Sequence, residues 1–383
     1  MKTKIYRITV TLMAMLLGIT LVLGLSFAGK KGSGPVDNLL SNMASGVSGM
    51  ENKLILKQRA HTRSQSLQWL AHITGSQLRT GTTGQILYGA YDDQVSDTYQ
   101  SVVDLEDSLH TVFPIIQLYT AWGSKPEEQF PATRVNAIQR IGSVPLITWE
   151  PWLADFSEAA IPGIPPKEKR DQHCLKAIAQ GTYDSYIDQW AKDAKDVPGN
   201  LFVRLGHEMN DPYRYPWGPQ NNTPAEYIAA WRHVVDRFRQ QNVANVIWVW
   251  SPHPAYKDYN AYYPGDKYVD WIGSGTLNYG TVATWSQWYT FDEIFGKYYP
   301  QFAAFGKPIL ISEFGSLATG GDREKWYTDA LTDMPVKYPL VKAVVFFHVA
   351  SDNTTTNKAL NWYIKNDHNI TQHIAAIIKR NLK

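Results

Sequence analysis

Short apolar segments of strand length alternate with longer segments of helical periodicity through most of this chain. The clearest helical stretch is 223–241, where apolar side chains recur at helical spacing after Pro224, a residue suited to a first helical turn. Eight strands, each followed by a helix, close into a parallel barrel. The alternation therefore predicts an α/β fold of the (β/α)8 TIM barrel type. The predicted strands are 85–91, 113–119, 144–150, 201–208, 246–250, 269–273, 307–313 and 342–348.

Several of the predicted strands end in polar and aromatic residues. The strand 201–208 ends in His207 and Glu208, and the strand 307–313 ends in Glu313. A parallel barrel gathers the carboxyl ends of its strands on one face, where barrel enzymes carry their active sites. The two glutamates could therefore face each other as the carboxyl pair that hydrolyses a glycosidic bond.

In this interpretation Glu208 is the general acid/base and Glu313 is the nucleophile. The acid needs a proton at working pH, and so a raised pKa, whereas the nucleophile must be ionised. A separation of about 5–5.5 Å between the carboxyl groups gives retention of configuration, and about 6.5–9.5 Å gives inversion. The structural alternative for either glutamate is an ordinary surface or salt-bridged residue.

Other residues at the predicted strand ends are candidates for substrate contacts. His207 could orient a carboxylate, and Tyr279 could hydrogen-bond Glu313; the alternatives are a packed rim histidine and an aromatic plug of a loop. Arg204 shares its strand parity with Glu208, so it is expected to support the site from inside the barrel. The tryptophans among the remaining candidates could equally belong to the core. The remaining candidates are Trp149, Glu150, Trp152, Trp217, Trp250, Trp285 and His348.

Charge and cysteine content exclude several other classes of protein. Lys and Arg number 37 against 35 Asp and Glu, a near balance that argues against a nucleic-acid partner. The single cysteine, Cys174, excludes an intramolecular disulfide and a cysteine-rich metal site. Met209, Asn210 and Asp211 follow Glu208, so the H-E-x-x-H zinc spacing is absent. We predict no metal and no cofactor, and we expect a monomer that acts on a neutral polysaccharide.

The pattern of the N-terminal residues predicts export. Lys2, Lys4 and Arg7 precede the uncharged apolar run 8–28. This run is longer than the roughly 7–15 residues of a cleavable signal's apolar core and close to the ~20 that span a bilayer. Its last three residues, Ser-Phe-Ala, nevertheless look like a cleavage site. A cleaved signal and a retained membrane anchor both stay open, and either places the catalytic part outside the cytoplasm, secreted or tethered to the outer face of the cytoplasmic membrane.

Composition divides the chain into four predicted segments. Residues 1–28 are the signal peptide or membrane anchor, and residues 29–51, rich in Gly, Ser and Asn, form a flexible tether. A helical N-terminal extension follows at 52–83, and the (β/α)8 domain occupies 84–383. All the candidate site residues therefore belong to the last segment.

Four motifs together resemble glycoside hydrolase family 26. They are RLGHEMN at 204–210, NTPAEYIAAWRHVVDRFR at 222–239, VDWIGSGTLNYG at 269–280 and PILISEFG at 308–315. The resemblance implies a retaining endo-β-glycanase on a (β/α)8 barrel, with Glu208 as acid/base and Glu313 as nucleophile. It also implies that His207 and Tyr279 contact the nucleophile or the sugar at the cleavage point. Most members of the family hydrolyse β-1,4-mannan, and others act on mixed-linkage β-1,3-1,4-glucan or β-1,3-xylan.

Two strand ends depart from the mannanase pattern of that family. The third predicted strand runs into WEPW at 149–152, and the eighth ends in FFH at 346–348, where a tryptophan under the substrate is expected. Both departures leave the hydrolytic chemistry intact and leave the sugar open. We expect mannan as substrate, with mixed-linkage glucan or β-1,3-xylan as alternatives. A non-catalytic, polysaccharide-binding envelope protein is the alternative from another class.

Overall fold

The computed structural model divides into two compact units, Met1–Met50 and Glu51–Lys383. It describes residues 10–18, 50, 53–55, 57–59, 61–93, 99–256, 258–354 and 359–381. In the first unit residues 10–18 are helical. Within the described ranges no helix has both the length and the apolar character needed to cross a membrane. Most of the predicted signal or anchor at 8–28, and the predicted tether apart from residue 50, lie outside the described residues.

Eight parallel strands of the second unit form a closed barrel in chain order. Each strand pairs with the next, and β8 pairs in register with β1, so the ring has no open edge. The predicted (β/α)8 fold is thereby confirmed. The strands are β1 Leu87–Asp92, β2 Ile115–Ala121, β3 Val144–Glu150, β4 Leu201–Leu205, β5 Val246–Trp250, β6 Trp271–Asn278, β7 Ile309–Ser316 and β8 Val341–His348.

The α-helices connect the strands around the outside of the barrel. In the helix predicted at 223–241, Thr223 and Glu226 form a capping box and Pro224 occupies the first turn, as the sequence predicts. The α-helices of the described second unit from residue 75 onward are α1 Gly75–Thr80, α2 Gln100–Ser108, α3 Ala132–Arg140, α4 Cys174–Ala179, α5 Asp184–Lys195, α6 Pro224–Gln240, α7 Tyr299–Ala303, α8 Arg323–Lys337 and α9 His368–Asn381.

The strand predicted at 201–208 is shorter than expected. It ends at Leu205, because Gly206 and Glu208 adopt the left-handed backbone conformation with φ of 47° and 52°. Glycine adopts this conformation freely, whereas a glutamate is strained in it by about 1–3 kcal/mol. The chain therefore turns sharply at the point where the sequence places its first candidate catalytic residue.

The side chains that face into the barrel are apolar in its lower part and polar in its upper part. Inward-facing apolar residues close the bottom of the barrel; they include Leu87, Ile115, Leu146, Phe202, Ile247, Trp271, Leu310 and Ala343. Two positions further along β4, the fully buried Arg204 also faces inward, as its parity predicts. The site therefore stands on a packed apolar base.

The segment predicted as a helical extension, 52–83, forms several short helical pieces and anchors to the barrel through Arg63. Arg63 is buried and forms an ion pair with the buried Glu106 of α2. Its other nitrogens donate to the Ile141 carbonyl at 2.8 Å and to Ser143 Oγ at 2.6 Å. All three nitrogen atoms of this guanidinium therefore bind groups in α2 or in the segment that directly follows α3.

Replacing Arg63 with methionine is expected to lower the free energy of unfolding by about 3–5 kcal/mol, because Glu106 is then left buried without its counter-charge. The matched control is Arg59→Met, which breaks the exposed ion pair between Arg59 and Asp107 and should cost about 0–1 kcal/mol. Urea unfolding of both variants measures the difference. Equal costs would show that Arg63 does not carry this anchor.

Candidate active site

Glu208 and Glu313 meet at the carboxyl-end face of the barrel, over the backbone of Gly275 in β6. A side-chain carbon built on Gly275 would lie 3.4 Å from Glu208 Oε1 and 3.6 Å from Glu313 Oε2. The two oxygens can therefore lie no farther apart than these two distances combined. That limit on one pair of oxygens is compatible with the roughly 5–5.5 Å separation of the two carboxyl groups in retaining hydrolases.

Glu313 is held in its ionised form. Its Oε1 accepts hydrogen bonds from the Tyr119 hydroxyl at 2.6 Å and from Arg204 Nη1 at 2.7 Å. Burial by itself would raise the pKa of this carboxyl. The charge of Arg204 and the two hydrogen bonds outweigh burial and hold the pKa below its usual value. An ionised carboxylate is the form that a nucleophile needs.

Glu208 keeps its proton up to a higher pH than an ordinary glutamate does. Burial, followed by the negative charge of Glu313, raises the pKa of Glu208 to about 7, against the opposing charges of Arg204 and Arg214. Its strained backbone is fixed by a hydrogen bond from its N–H to the Ser251 carbonyl at 2.7 Å. The two carboxyls therefore have proton affinities displaced in opposite directions, as an acid and a nucleophile require.

His207 supports the site beside the pair. Its Nε2 lies 3.0 Å from the Tyr215 hydroxyl, and its backbone carbonyl accepts from Trp217 Nε1 at 2.7 Å. Burial holds the pKa of this imidazole well below its usual value, so the ring is neutral. Trp217 is completely buried and stacks on Tyr215 with ring centroids 4.6 Å apart. The prediction that Trp217 contacts substrate is therefore wrong; it supports the loop beneath Tyr215.

Two further predicted sugar contacts, Trp149 and Trp250, belong to the core. Both are completely buried. Trp149 stacks on Trp190 of α5 at 4.1 Å, and Trp250 packs against Tyr263 at 5.1 Å. The reason is strand alternation: inward positions of β3 are Leu146, Thr148 and Glu150, so Trp149 points outward to the helices.

The predicted contacts of His348 and Tyr279 also need correction. His348 is buried against Asp92, with Nδ1 2.7 Å from Oδ2, and has no accessible surface for a sugar. The phenol that donates to Glu313 is Tyr119, whereas the phenol of Tyr279 interacts with the charge of Arg214. Tyr279 still lines the cavity above the pair.

Glu150 and Trp152 lie on the β3 side of the site, beside His207. Trp152 Nε1 donates to Glu150 Oε2 at 3.3 Å, and Glu150 Oε1 lies 4.0 Å from His207 Nδ1. Burial raises the pKa of Glu150 to about 7. A direct contact of either residue with substrate stays a prediction.

A cavity of about 410 Å³ opens on the catalytic pair and extends away from it over the loops after β5 and β6. Trp285, on its rim, is 61% exposed and packs its edge on Tyr279 at 5.3 Å. Three residues of the site were not singled out by the sequence analysis: Tyr119, Arg214 and Gly275. Tyr119 could have been found, because it faces inward at the end of β2, but nothing in the sequence indicates where Arg214 points.

The described side chains include no group of three or more His, Cys, Asp or Glu arranged to hold a metal ion. Cys174 is a buried free thiol at the start of α4, 3.5 Å from the Pro216 carbonyl.

Comparison with known proteins places the chain among glycoside hydrolases. Endoglucanase H of Acetivibrio thermocellus is 34% identical over 238 residues, which cover 60% of this chain and 23% of that protein. The mannan endo-1,4-beta-mannosidase A and B of Caldalkalibacillus mannanilyticus is 28% identical over 196 residues, covering 47% and 34%. The matched regions thus span 23% and 34% of the lengths of these two relatives.

Solved structures share the fold. A family 26 β-mannanase from Bacteroides ovatus superposes with a TM-score of 0.56 at 16% identity, covering 80% of this chain and 92% of that one. A modular endo-β-1,4-mannanase from Cellulomonas fimi gives 0.57 at 17% identity, covering 79% and 74%. The profile of glycosyl hydrolase family 26 matches residues 172–373, more than half of the chain and the part that carries both glutamates. The chain belongs to glycosyl hydrolase family 26.

Proposed function

We propose that this protein is a retaining endo-β-glycanase and that its substrate is β-1,4-mannan. The observation that carries the proposal is the buried carboxyl pair over Gly275, whose members have proton affinities displaced in opposite directions. A protonated and an ionised carboxyl on either side of one glycosidic bond are the two groups that its hydrolysis requires.

In the first step Glu313 attacks the anomeric carbon while Glu208 gives its proton to the departing glycosidic oxygen. The C–O bond to the leaving sugar breaks, and an ester between the sugar and Glu313 forms. In the second step Glu208, now ionised, takes a proton from water, and the water oxygen displaces Glu313 from the anomeric carbon. Arg204 and Tyr119 stabilise the negative charge that returns to Glu313 Oε1 in this step.

Mannan is supported by the family and by two relatives named for mannan hydrolysis, one 28% and one 30% identical over their matched regions. A β-glucan is the second candidate, because the 34% identical relative is named an endoglucanase. The end of β8 favours this candidate too, since it presents Phe347 and the buried His348 where the mannanase pattern has a tryptophan. The two sugars differ at C2, so side chains around the sugar at the cleavage point decide between them.

The basic start and the apolar run 8–28 support an extracytoplasmic location for the enzyme, either secreted or tethered to the membrane. A polysaccharide-binding protein without activity is the rival. The retained pair of glutamates, together with the paired Arg204 and Tyr119 under Glu313, argues against that rival, because binding alone needs no such displaced proton affinities.

The test is incubation of the full-length protein with galactomannan, glucomannan, barley mixed-linkage glucan, cellulose and β-1,3-xylan, beside the Glu313→Ala variant. We expect short oligosaccharides from the mannans with the wild type and none with the variant. Cleavage of the mixed-linkage glucan alone would replace mannan by the second candidate. Proton NMR of the earliest products should show the β-anomer, and an α-anomer would make the enzyme inverting. No cleavage of any polymer would favour the binding protein.

A further inference from the structure

One side chain, that of Arg214, reaches across the mouth of the barrel. Arg214 lies in the loop after β4, and its Nη2 donates to Thr354 Oγ1, beyond the end of β8, at 3.0 Å. Its positive charge also acts on the phenol of Tyr279, which directly follows β6. In a closed ring of eight strands β4 and β8 stand opposite each other, so this bridge from Arg214 to Thr354 crosses the barrel face that carries the catalytic pair.

The bridge passes over the acid rather than the nucleophile. Arg214 Nη1 lies 3.8 Å from Glu208 Oε2, and this oxygen is buried with no hydrogen-bond partner among the described residues. The other nearby cation, Arg204, is engaged by Glu313 instead. The side chain of Arg214 is 40% exposed, so it lies between the acid and solvent.

Thr354, at the far end of the bridge, is held in place by hydrogen bonds. The Thr354 hydroxyl donates to Asp352 Oδ1 at 2.6 Å, and the Thr354 N–H donates to the same oxygen at 2.9 Å. Asp352 in turn accepts from Nε1 of the completely buried Trp362 at 2.8 Å. Because its single proton goes to Asp352, the Thr354 hydroxyl is left as an acceptor, which is what a guanidinium requires.

We propose that Arg214 is a positioning residue for the acid: anchored on Thr354, its guanidinium holds the Glu208 carboxyl in the orientation that meets the departing glycosidic oxygen. The catalytic part of this inference rests on the proposed hydrolytic function. No bond forms or breaks at Arg214. It acts by fixing the direction and the electrostatic environment of a neighbouring group.

The charges around Glu208 predict the direction in which its pKa changes when Arg214 is replaced. The charged and titratable groups that face Glu208 are Glu313 from β7, Arg204 from β4, Glu150 from β3, Asp211, Arg214 and Tyr215 from the loop after β4, and Tyr256 from the loop after β5. A cation beside a carboxyl favours its ionised form, so Arg214 lowers the pKa of Glu208. Removing this charge should raise that pKa. Since the acid must be protonated to act, the alkaline limb of the activity profile should then move to higher pH.

The test uses the full-length protein and three variants: Arg214→Met removes the charge, Arg214→Lys keeps it, and Thr354→Val removes the anchor. Two quantities are measured, the pH profile of kcat/KM and the titration of the Glu208 side-chain carboxyl by carbon-13 NMR, assigned with Glu208→Gln. We expect Arg214→Met to move both midpoints upward by about half a pH unit or more and to lower kcat about tenfold or more. Arg214→Lys should restore the midpoints, and Thr354→Val should lower kcat several-fold.

Unchanged midpoints and kcat in Arg214→Met would overturn the proposal. If Arg214→Met loses kcat while Thr354→Val keeps the wild-type kcat, the hydrogen bond to Thr354 is not what positions Arg214, and that part of the proposal is overturned. If Arg214→Met fails to fold, as shown by circular dichroism, the lysine and valine variants decide the matter. The NMR titration needs no substrate. If the wild type cleaves no polymer but Arg214→Met still shifts the midpoint of the Glu208 titration, the proposed function is overturned and the coupling between Arg214 and Glu208 stands.

Discussion

Replacing Glu313 with alanine is expected to reduce kcat by roughly 10⁴-fold or more, because no other group in the site can form the covalent intermediate. Arg204 and Tyr119, which now stabilise the carboxylate, would face an empty position and add no nucleophile. Initial rates on the preferred polymer measure the loss. The matched control is Glu168→Ala, which removes an exposed glutamate and should keep wild-type rates.

Adding azide to the Glu313→Ala variant tests whether Glu313 is the nucleophile. In Glu313→Ala the small anion can occupy the space of the carboxylate and attack the anomeric carbon from that face. With an activated aryl glycoside as substrate, this attack inverts the configuration and yields the α-glycosyl azide. A Glu313→Ala variant that keeps rates within tenfold of the wild type would remove this residue from the nucleophile role.

Replacing Glu208 with alanine is expected to reduce kcat on the polymer by about 10²–10⁴-fold, the usual contribution of a general acid. A sugar alcohol leaves poorly without a proton, so the polymer should suffer most. An aryl glycoside with an acidic phenol needs no proton on its leaving group, and formation of the glycosyl–enzyme should stay near the wild-type rate. The alkaline limb near pH 7 that the raised pKa of Glu208 predicts should disappear from the profile.

The product with azide distinguishes this variant from Glu313→Ala. Here the intermediate on Glu313 still forms, and azide replaces the water of the second step, so the product is the β-glycosyl azide. Equal losses of rate on the polymer and on the aryl glycoside would contradict the acid role of Glu208. They would indicate that the side chain positions Glu313 or the substrate instead.

Periodicity and strand ends were enough to predict the fold and the candidate catalytic pair. The barrel follows from eight apolar segments of strand length, and parallel strands bring their carboxyl ends to one face whatever the side chains are. The order of the strands by itself therefore predicts that Glu208 and Glu313 lie on the same face. Alternation along a strand also predicted that Arg204 points inward, because the side-chain period of two is a property of the backbone itself.

Residues that leave the strand pattern were decided only by the tertiary structure. Trp149 and Trp250 look like sugar contacts in the sequence, yet both are core residues: Trp149 stacks on Trp190 of α5, and Trp250 packs against Tyr263. Burial in the core stabilises an aromatic side chain as well as a sugar contact would, so residue type alone does not distinguish the two positions. The left-handed turn at Glu208 and the reach of Arg214 to Thr354 depend on loops whose conformations are set by distant neighbours. Local sequence thus determines periodicity and the order of elements, whereas contacts between residues 140 positions apart are selected by the packing of the whole barrel.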